Sequence, residues 1–417
     1  MKFDFYSSLA FWGALCVIVV LVRLLGKRPV LRRPFLVVSS ALMILAIPGF
    51  SLKNFGALFV LTVFSFSVCR VLAGRRPTTG IKLKRAVSTL GILGVLGFLA
   101  FYKYGFIQAL FFGAPPPGGR PGSRAIFMIG VSYFSFKMIH AIVEAYKGKM
   151  DRAPFLTYLS YILFFPSFIS GPINRFSGFA PALAGPASTS IKADLKSGAE
   201  RIVHGLFKKF VLVPLIHPYI LSNQTQDLSG LSAGSVLLGL YAYALYFYFD
   251  FSGYSDLALG SARLMGVPLP ENFNNPFLKR NIRELWTNWH MSLTSWLVDY
   301  IYWPLVRRMR ETSYLREHPV LLSNAGMIVT FIACGMWHGE TANFLVWGVY
   351  HGLGISALTI YQRLKRKVAN PALQRYFRSR ASAIAGAVLT FNFFAVGLAF
   401  FVLDLKSLKV VFATILS

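Results

Sequence analysis

The chain has 417 residues, of which 55% are apolar and only 14% charged, and its mean hydropathy is +0.56. A soluble domain carries about 25% charged residues, so this chain cannot cover itself with polar surface, and a water-soluble globular protein is excluded. The formal net charge of +28 would suggest nucleic acid in a soluble protein. Here the cations sit in short loops between apolar runs, as the positive-inside rule requires of a cytoplasmic face, and no nucleic-acid partner is expected.

In chain order, uncharged runs recur at the length a bilayer demands, about 17–25 residues for a helix. Clean runs are Phe5–Val22, Pro34–Leu52, Ala86–Tyr102, Ala153–Asn174, Leu228–Phe249, Thr341–Gln362 and Ala381–Leu403. Asn54–Cys69 and Pro319–Gly339 are further candidates, and Ala125–Tyr146 is another, interrupted by Lys137, His140 and Glu144. The runs are continuous rather than alternating, which predicts membrane helices and not barrel strands, about ten to twelve crossings in all. The first run lacks a basic leader and a cleavage site, so it reads as a retained helix.

Basic clusters punctuate these runs: Lys27, Arg28, Arg32 and Arg33; then Arg70, Arg75, Arg76, Lys82, Lys84 and Arg85; then Lys147–Arg152, Arg307–Arg316 and Arg363–Arg380. Alternation places the N-terminus outside and the first two clusters inside. Loops this basic would also hold the anionic headgroups of membrane lipid. The proline- and glycine-rich segment Gly113–Arg124 reads as an irregular outer loop. In Ile191–Leu221, Lys192, Lys196, Arg201, Lys208 and Lys209 interleave with Ile202, Val203, Leu206, Phe207 and Phe210, a pattern that suits an amphipathic interfacial helix. Cys16, Cys69 and Cys334 all lie in apolar runs, so neither a disulfide framework nor a metal site is expected.

Tyr241–Tyr302 is different. Aromatics dominate it, yet Asp250, Asp256, Asn272, Asn274, Asn275, Arg283, Glu284, Asn288, His290 and Asp299 are scattered through it. Short tilted or re-entrant helices around a water-filled funnel account for such a mixture better than straight crossings. Asp250 and Asp256 are expected to cap helix ends or to bond nearby Tyr and Arg side chains, with Arg175 one partner to consider.

Two histidines stand out. His338, in CGMWHGE, ends a long apolar run with Glu340 the only charge near it. Ionisable groups at membrane depth are costly and mark function, and a neutral imidazole beside a reacting hydroxyl makes a general base. The plain alternative is a histidine bonded to a backbone carbonyl at a helix end. His290, in LWTNWHMSLTSW, reads by itself more readily as the holder of a structural hydrogen bond amid tryptophans. His351 reads as a packing residue, and His140, His204, His217 and His318 as interface or loop residues. There is no phosphate loop, dinucleotide fingerprint, HExxH, CxxC or GxSxG elbow. An enzyme working within the bilayer and a transporter with polar midplane residues remain. Transporters commonly show two similar halves, whereas here the polar residues concentrate between Tyr133 and Tyr350, which favours the enzyme.

The ordered set SYFSFKMIHAIVEAYKG, FFPSFISGPINRF, YFYFDFSGYSD, ENFNNPFLKRNIRELWTNWHMSLTSWLVDYIYWP and GMWHGETANFLVWGVYHG, from Ser132 to Ser356, resembles the membrane-bound O-acyltransferase family. The resemblance implies an all-α integral membrane protein whose short helices form a funnel. It implies one polytopic domain over 1–417, with peripheral spans at 1–124, a catalytic core at 125–362 and a C-terminal loop and spans at 363–417. It places the family's invariant histidine on His338 and its second motif histidine on His290. Tunnel candidates are Trp286, Asn288, Trp337, Asn275, Arg283, Asp250, Tyr254 and Arg175.

Two bacterial envelope branches of the family compete. One moves D-alanyl groups from the phosphopantetheine thioester of an acidic acyl carrier protein to an envelope polymer acceptor. The other relays acetyl from acetyl-CoA to an exopolysaccharide such as alginate, in some cases through an extracytoplasmic transferase. The wording SYFSFK, FPSFISGPINRF and NFNNPFLKRNIRELW favours the alanyl branch, and Val306, Arg307 and Arg308 stand where the acetyl branch usually has a glycine pair. Neither branch implies a permanently bound cofactor or a metal. The basic loops Arg307–Arg316 and Arg363–Arg380 are candidate docking faces for an acidic carrier. The resemblance implies the bacterial cytoplasmic membrane as the location.

Overall fold

The computed structural model describes residues 4–74, 80–112, 127–150, 153–184, 190–221 and 230–416. The segment Gly113–Arg124 and the basic residues Arg75, Arg76 and Arg152 lie outside them. Among the described residues every regular element is helical. Five helices are long and apolar enough to cross a membrane: Leu52–Leu72, Ile81–Lys103, Pro319–His338, Ala342–Arg366 and Arg380–Val402. The protein is an all-helical, multi-pass membrane protein.

The residues divide into two compact units, Met1–His204 with Tyr254–Pro270, and Gly205–Gly253 with Glu271–Ser417. The first contains α1 (Leu9–Leu24), α2 (Pro29–Leu45), α3 (Leu52–Leu72), α4 (Ile81–Lys103), α5 (Gly105–Phe112), α6 (Val131–Tyr146), α7 (Phe155–Leu163), α8 (Phe176–Ala184) and most of α9 (Ile191–Phe207). α4 and α3 pack on α6, and α2 packs on α7.

The run Ala153–Asn174, read above as one crossing, is not one helix. α7 stops at Leu163, a tight turn follows over Phe165–Ser167, and the chain then runs irregularly to α8. Pro166 and the Gly171-Pro172 pair are the cause, since proline cannot donate to the preceding turn and excludes α geometry before it. From Thr157 to Asn174 the segment is nevertheless buried except at half-buried Ser170, and several of its polar groups find partners. Tyr158 Oη donates to Ser65 Oγ at 2.9 Å and Tyr161 Oη to the Asn174 carbonyl at 2.9 Å. Lys137, fully buried on α6, donates to Ser167 Oγ at 2.8 Å and to the Tyr161 carbonyl at 3.2 Å. His140, expected in a loop or at the interface, is instead 1% exposed within α6, where its Nε2 accepts the Phe176 N–H at 3.0 Å. It satisfies the first turn of α8, whose leading N–H groups have no helical partner.

α10 (Ala233–Leu264) is a single helix of 32 residues, roughly 48 Å long at 1.5 Å per residue. It overturns the expectation of broken helices for its part of the aromatic stretch: YFYFDFSGYSD lies inside it. Asp250 and Asp256 therefore cap nothing. Each meets a cation from the amphipathic segment, Lys209 to Asp250 and Arg201 to Asp256, both at 2.6 Å. That segment is itself interrupted. α9 ends at Phe207, a π turn covers Lys208–Leu212, and short pieces follow to Tyr219, with Pro214 and Pro218 breaking regular bonding.

In the first unit the C-terminal end of α10 is held by two arginines, one half-buried and one buried. Arg23 donates to the carbonyls of Leu264 (2.6 Å) and Arg263 (2.9 Å), and Arg32, 0% exposed, donates to those of Met265 (3.3 Å) and Leu183 (3.4 Å). These are the carbonyls a helix leaves unbonded, and cations suit the negative end of its dipole. Asp194, 1% exposed, sits among them: Arg23 lies 3.0 Å from one oxygen, and Arg263 Nε lies 2.7 Å from the other without hydrogen-bond alignment.

The second unit contains α11 (Ile282–Asn288), α12 (Met291–Leu297), α13 (Trp303–Met309), α14 (Ser313–Glu317), α15 (Pro319–His338), α16 (Ala342–Arg366), α17 (Pro371–Arg378), α18 (Arg380–Val402) and α19 (Leu405–Leu416). Here the expectation of short helices between Glu271 and Tyr302 holds: α11 and α12 are seven residues each, and a π turn over Val298–Tyr302 joins α12 to α13. α15 and α16 form the tightest pair, joined by the short turn after His338. A Cβ on Gly348 would lie 2.5 Å from the Phe331 carbonyl oxygen, and one on Gly352 2.9 Å from the Ile328 Cα. Only glycine allows backbones this close.

Candidate active site

α15 carries His338 at its last residue, because Gly339 turns to extended backbone and ends the helix. The half-buried imidazole is framed by Trp337, Phe401 and Trp347, with ring centroids at 4.5, 4.8 and 5.2 Å. It borders a cavity of about 130 Å³. The walls are aromatic and aliphatic, among them Phe247 and Phe251 of α10, Phe331 of α15 and Phe401 of α18. Four polar predicted residues share that cavity: His338, His290, Trp286 and Arg283.

His290 is placed by its backbone. With φ 41° and ψ 53° it lies in the left-handed region, at the residue before α12. Few non-glycine residues adopt this geometry, and each needs support from its surroundings. The support is Asn272, which is fully buried. Its carbonyl accepts the Met291 N–H at 2.9 Å, and its side-chain Oδ1 accepts from Ser292 Oγ at 2.6 Å and faces His290 Nδ1 at 3.2 Å. With an oxygen opposite, Nδ1 carries the proton and Nε2 the lone pair. Sequence reasoning placed Asn272 among the scattered polar residues but not in the site; the polar run ENFNNP between the aromatic helix and α11 was the signal for it. His290→Ala is expected to lower turnover more than stability, and Asn272→Leu to follow it by freeing the ring. Turnover measured beside the melting temperature in detergent checks this, and equal losses in both would make the pair structural.

Arg283 donates to Thr359 Oγ1 at 2.7 Å and Gln362 Oε1 at 3.1 Å on α16, fixing α11 beside the cavity. Trp286 stands edge-on to His351, with centroids 5.1 Å apart. His351 is 0% exposed among Trp286, Trp347 and Phe393, the packing environment expected for it.

The other tunnel candidates are elsewhere. Trp337 touches His338 but is not in the cavity wall. Asn288 turns its amide back to the Glu284 carbonyl at 2.8 Å. Asn275 is exposed at φ 46°, opening the tight turn over Pro276–Leu278. Asp250 is engaged by Lys209. Tyr254 and Arg175 belong to the first unit, where Tyr254 Oη accepts the Ser170 N–H at 3.3 Å and the Arg175 carbonyl starts α8. No cluster of metal-ligating residues occurs among the described residues.

An imidazole in an apolar aromatic pocket suits proton transfer to or from a reacting group. The comparisons agree with that chemistry. Residues 124–403 match the family described as MBOAT, membrane-bound O-acyltransferase family. The teichoic acid D-alanyltransferase of Bacillus subtilis (strain 168) is 32% identical over 68% of this chain and 70% of its own length. That of Streptococcus thermophilus is 29% identical over 63% of this chain and 65% of its own length. The probable alginate O-acetylase of Azotobacter vinelandii is 30% identical over 63% of this chain, but this spans only 52% of that protein. The chain belongs to the membrane-bound O-acyltransferase family, and its chemistry is acyl transfer at a membrane.

Proposed function

We propose that this protein moves a D-alanyl group from a carrier-protein thioester across a bacterial cytoplasmic membrane onto a hydroxyl of a cell-envelope polymer or lipid-linked acceptor. The observation that carries the reading is that His338 and His290, from separate segments, border one apolar cavity. In it the acceptor hydroxyl gives its proton to His338 as its oxygen attacks the thioester carbonyl carbon. The new C–O bond forms, the C–S bond breaks, and the departing phosphopantetheine sulfur takes the proton from His338. An ester and a thiol leave, and the base is restored. His290, its Nδ1–H held by Asn272, lines the same space and orients the reactants. The donor is a substrate, and no resident cofactor is invoked.

The alanyl group is favoured over acetyl because the alanyltransferase of Bacillus subtilis matches over more of its own length than the alginate relative does. About ten to twelve crossings complete this topology, the shorter apolar helices such as α1 adding to the five long ones. The carrier docks on α13 and α14, where Arg307, Arg308, Arg310 and Arg316 are exposed.

Docking of an acidic protein on such a face is steered by charge and screened by salt. The purified protein is therefore expected to retain an acidic carrier loaded with D-alanine at low ionic strength and to release it at high salt. Absence of carrier binding together with turnover of acetyl-CoA would replace this reading by O-acetyl transfer, with an extracytoplasmic transferase finishing the reaction on an exopolysaccharide. Uptake into vesicles without a covalent product would make the protein a transporter.

A further inference from the structure

The basic segment Arg363–Arg380 takes no part in the chemistry above, yet it borders a second and larger space. Between α16, α17 and α18 runs an open groove of about 1130 Å³. Its rim carries Arg280, Lys365, Arg366 and Arg378. One carboxylate, Glu284, stands at this rim, and Arg280 Nε occupies it at 2.9 Å. Among the described residues no carboxylate pairs with Lys365, Arg366 or Arg378. Lys365 is held in place by aromatic faces, its Nζ 4.4 Å from the Phe377 ring centroid and 5.8 Å from that of Tyr361.

The floor has a different character. Along the bodies of α16 and α18 the groove is lined by Ala357, Leu358, Ala385, Leu389 and Phe393. Leu389 is 72% exposed on a membrane-spanning helix, a surface that belongs in hydrocarbon. α17 closes the cationic end. It has no buried residue and sets Leu373 and Tyr376 beside Arg375 and Arg378, the composition of a helix lying in the headgroup layer. A groove that is cationic at the helix ends and apolar along the helix bodies matches a molecule with an anionic head and acyl chains. A soluble anion would use only the rim.

The groove and the active-site cavity share a wall. Arg280, Asn281 and Glu284 face the groove, while Arg283, Trp286 and Thr287 face the cavity, so that α11, with Ile282 and Glu284 on the groove side, and the two residues before it stand between the two spaces. We propose that the groove binds one anionic phospholipid, its phosphodiester on Lys365, Arg366 and Arg378 and an acyl chain along α18, and that the bound lipid steadies α11. Lipid binding stands on the groove alone. The link to turnover rests on the cavity being the acyl-transfer site.

The test uses the full chain in nanodiscs of phosphatidylcholine with or without phosphatidylglycerol. Native mass spectrometry, which needs no acyl substrate, is expected to show one phosphatidylglycerol retained per chain. Arg366→Gln with Arg378→Gln should retain roughly thirtyfold less, as loss of two cations near an anionic head implies. Ala385→Trp, which fills the exposed floor and leaves the rim intact, should lose it as well, while Lys406→Gln, on a separate basic stretch, should not. Turnover of the unsubstituted protein should rise with phosphatidylglycerol, and that of the double variant should not respond. Equal lipid retention by the double variant, or its full displacement by soluble glycerol phosphate, overturns the lipid site. Lost retention with an unchanged response of turnover overturns the coupling through α11.

Discussion

Replacing His338 by alanine is expected to cut acyl transfer by roughly 10²–10⁴-fold, the range a positioned general base contributes, while the protein stays inserted and folded. The ring is half-buried at a helix end, where Trp337 packs against it, and its neighbours Trp347 and Phe344 each contact Phe401 as well as it. Removing the imidazole therefore takes away the proton acceptor and leaves most of the aromatic frame standing. The loss should fall on kcat, because the cavity walls that hold the acyl donor are unchanged. Turnover with a charged donor, read beside a melting curve in detergent, decides it: near-normal turnover would remove His338 from the mechanism.

The largest effect on stability is expected far from that chemistry, at Asp194. Its carboxylate is 1% exposed between Arg23 and Arg263, and Arg23 also holds the last carbonyls of α10. Removing one member of a buried charge pair costs about 3–5 kcal/mol, because the remaining charge is left without compensation. Asp194→Ala should therefore lower the unfolding free energy by about that amount, whereas an exposed carboxylate such as Glu200 of the Lys196–Glu200 pair should be replaceable within about 1 kcal/mol. Denaturation of the two variants side by side checks the contrast. Equal stability would mean that Arg23 holds the helix end without help from Asp194.

Much of this was legible in the residues, and the failures have physical causes. Hydropathy located the long crossings because a bilayer imposes length and apolarity together. The same measure read Ala153–Asn174 as a crossing, since buried protein interior and lipid ask for the same side chains; only Pro166 and Gly171-Pro172 marked the break. It also undervalued α10, where Asp250 and Asp256 look prohibitive until Lys209 and Arg201 are brought beside them by residues far off in the sequence. His140 was misjudged for the same reason, its partner being the backbone of Phe176. At the cavity, the motif histidines and Trp286 were visible as polar or aromatic exceptions. Asn272 was visible as one polar residue among ten, but its role was not, because that lies in a tertiary hydrogen bond and in the left-handed backbone of His290, which no local pattern announces.

The glycine-tight pairing of α15 with α16 also bears on how a reaction cycle begins. Where two backbones touch across Gly348 and Gly352, there is no slack for sliding or splaying, so the hairpin that ends in His338 behaves as one stiff bracket. On the proposed mechanism the base is aligned when the chain first folds into the bilayer, and each turnover inherits that alignment. On the same mechanism, engineering for a different acyl group would do better to reshape the approaches to the imidazole than to loosen the hairpin that carries it.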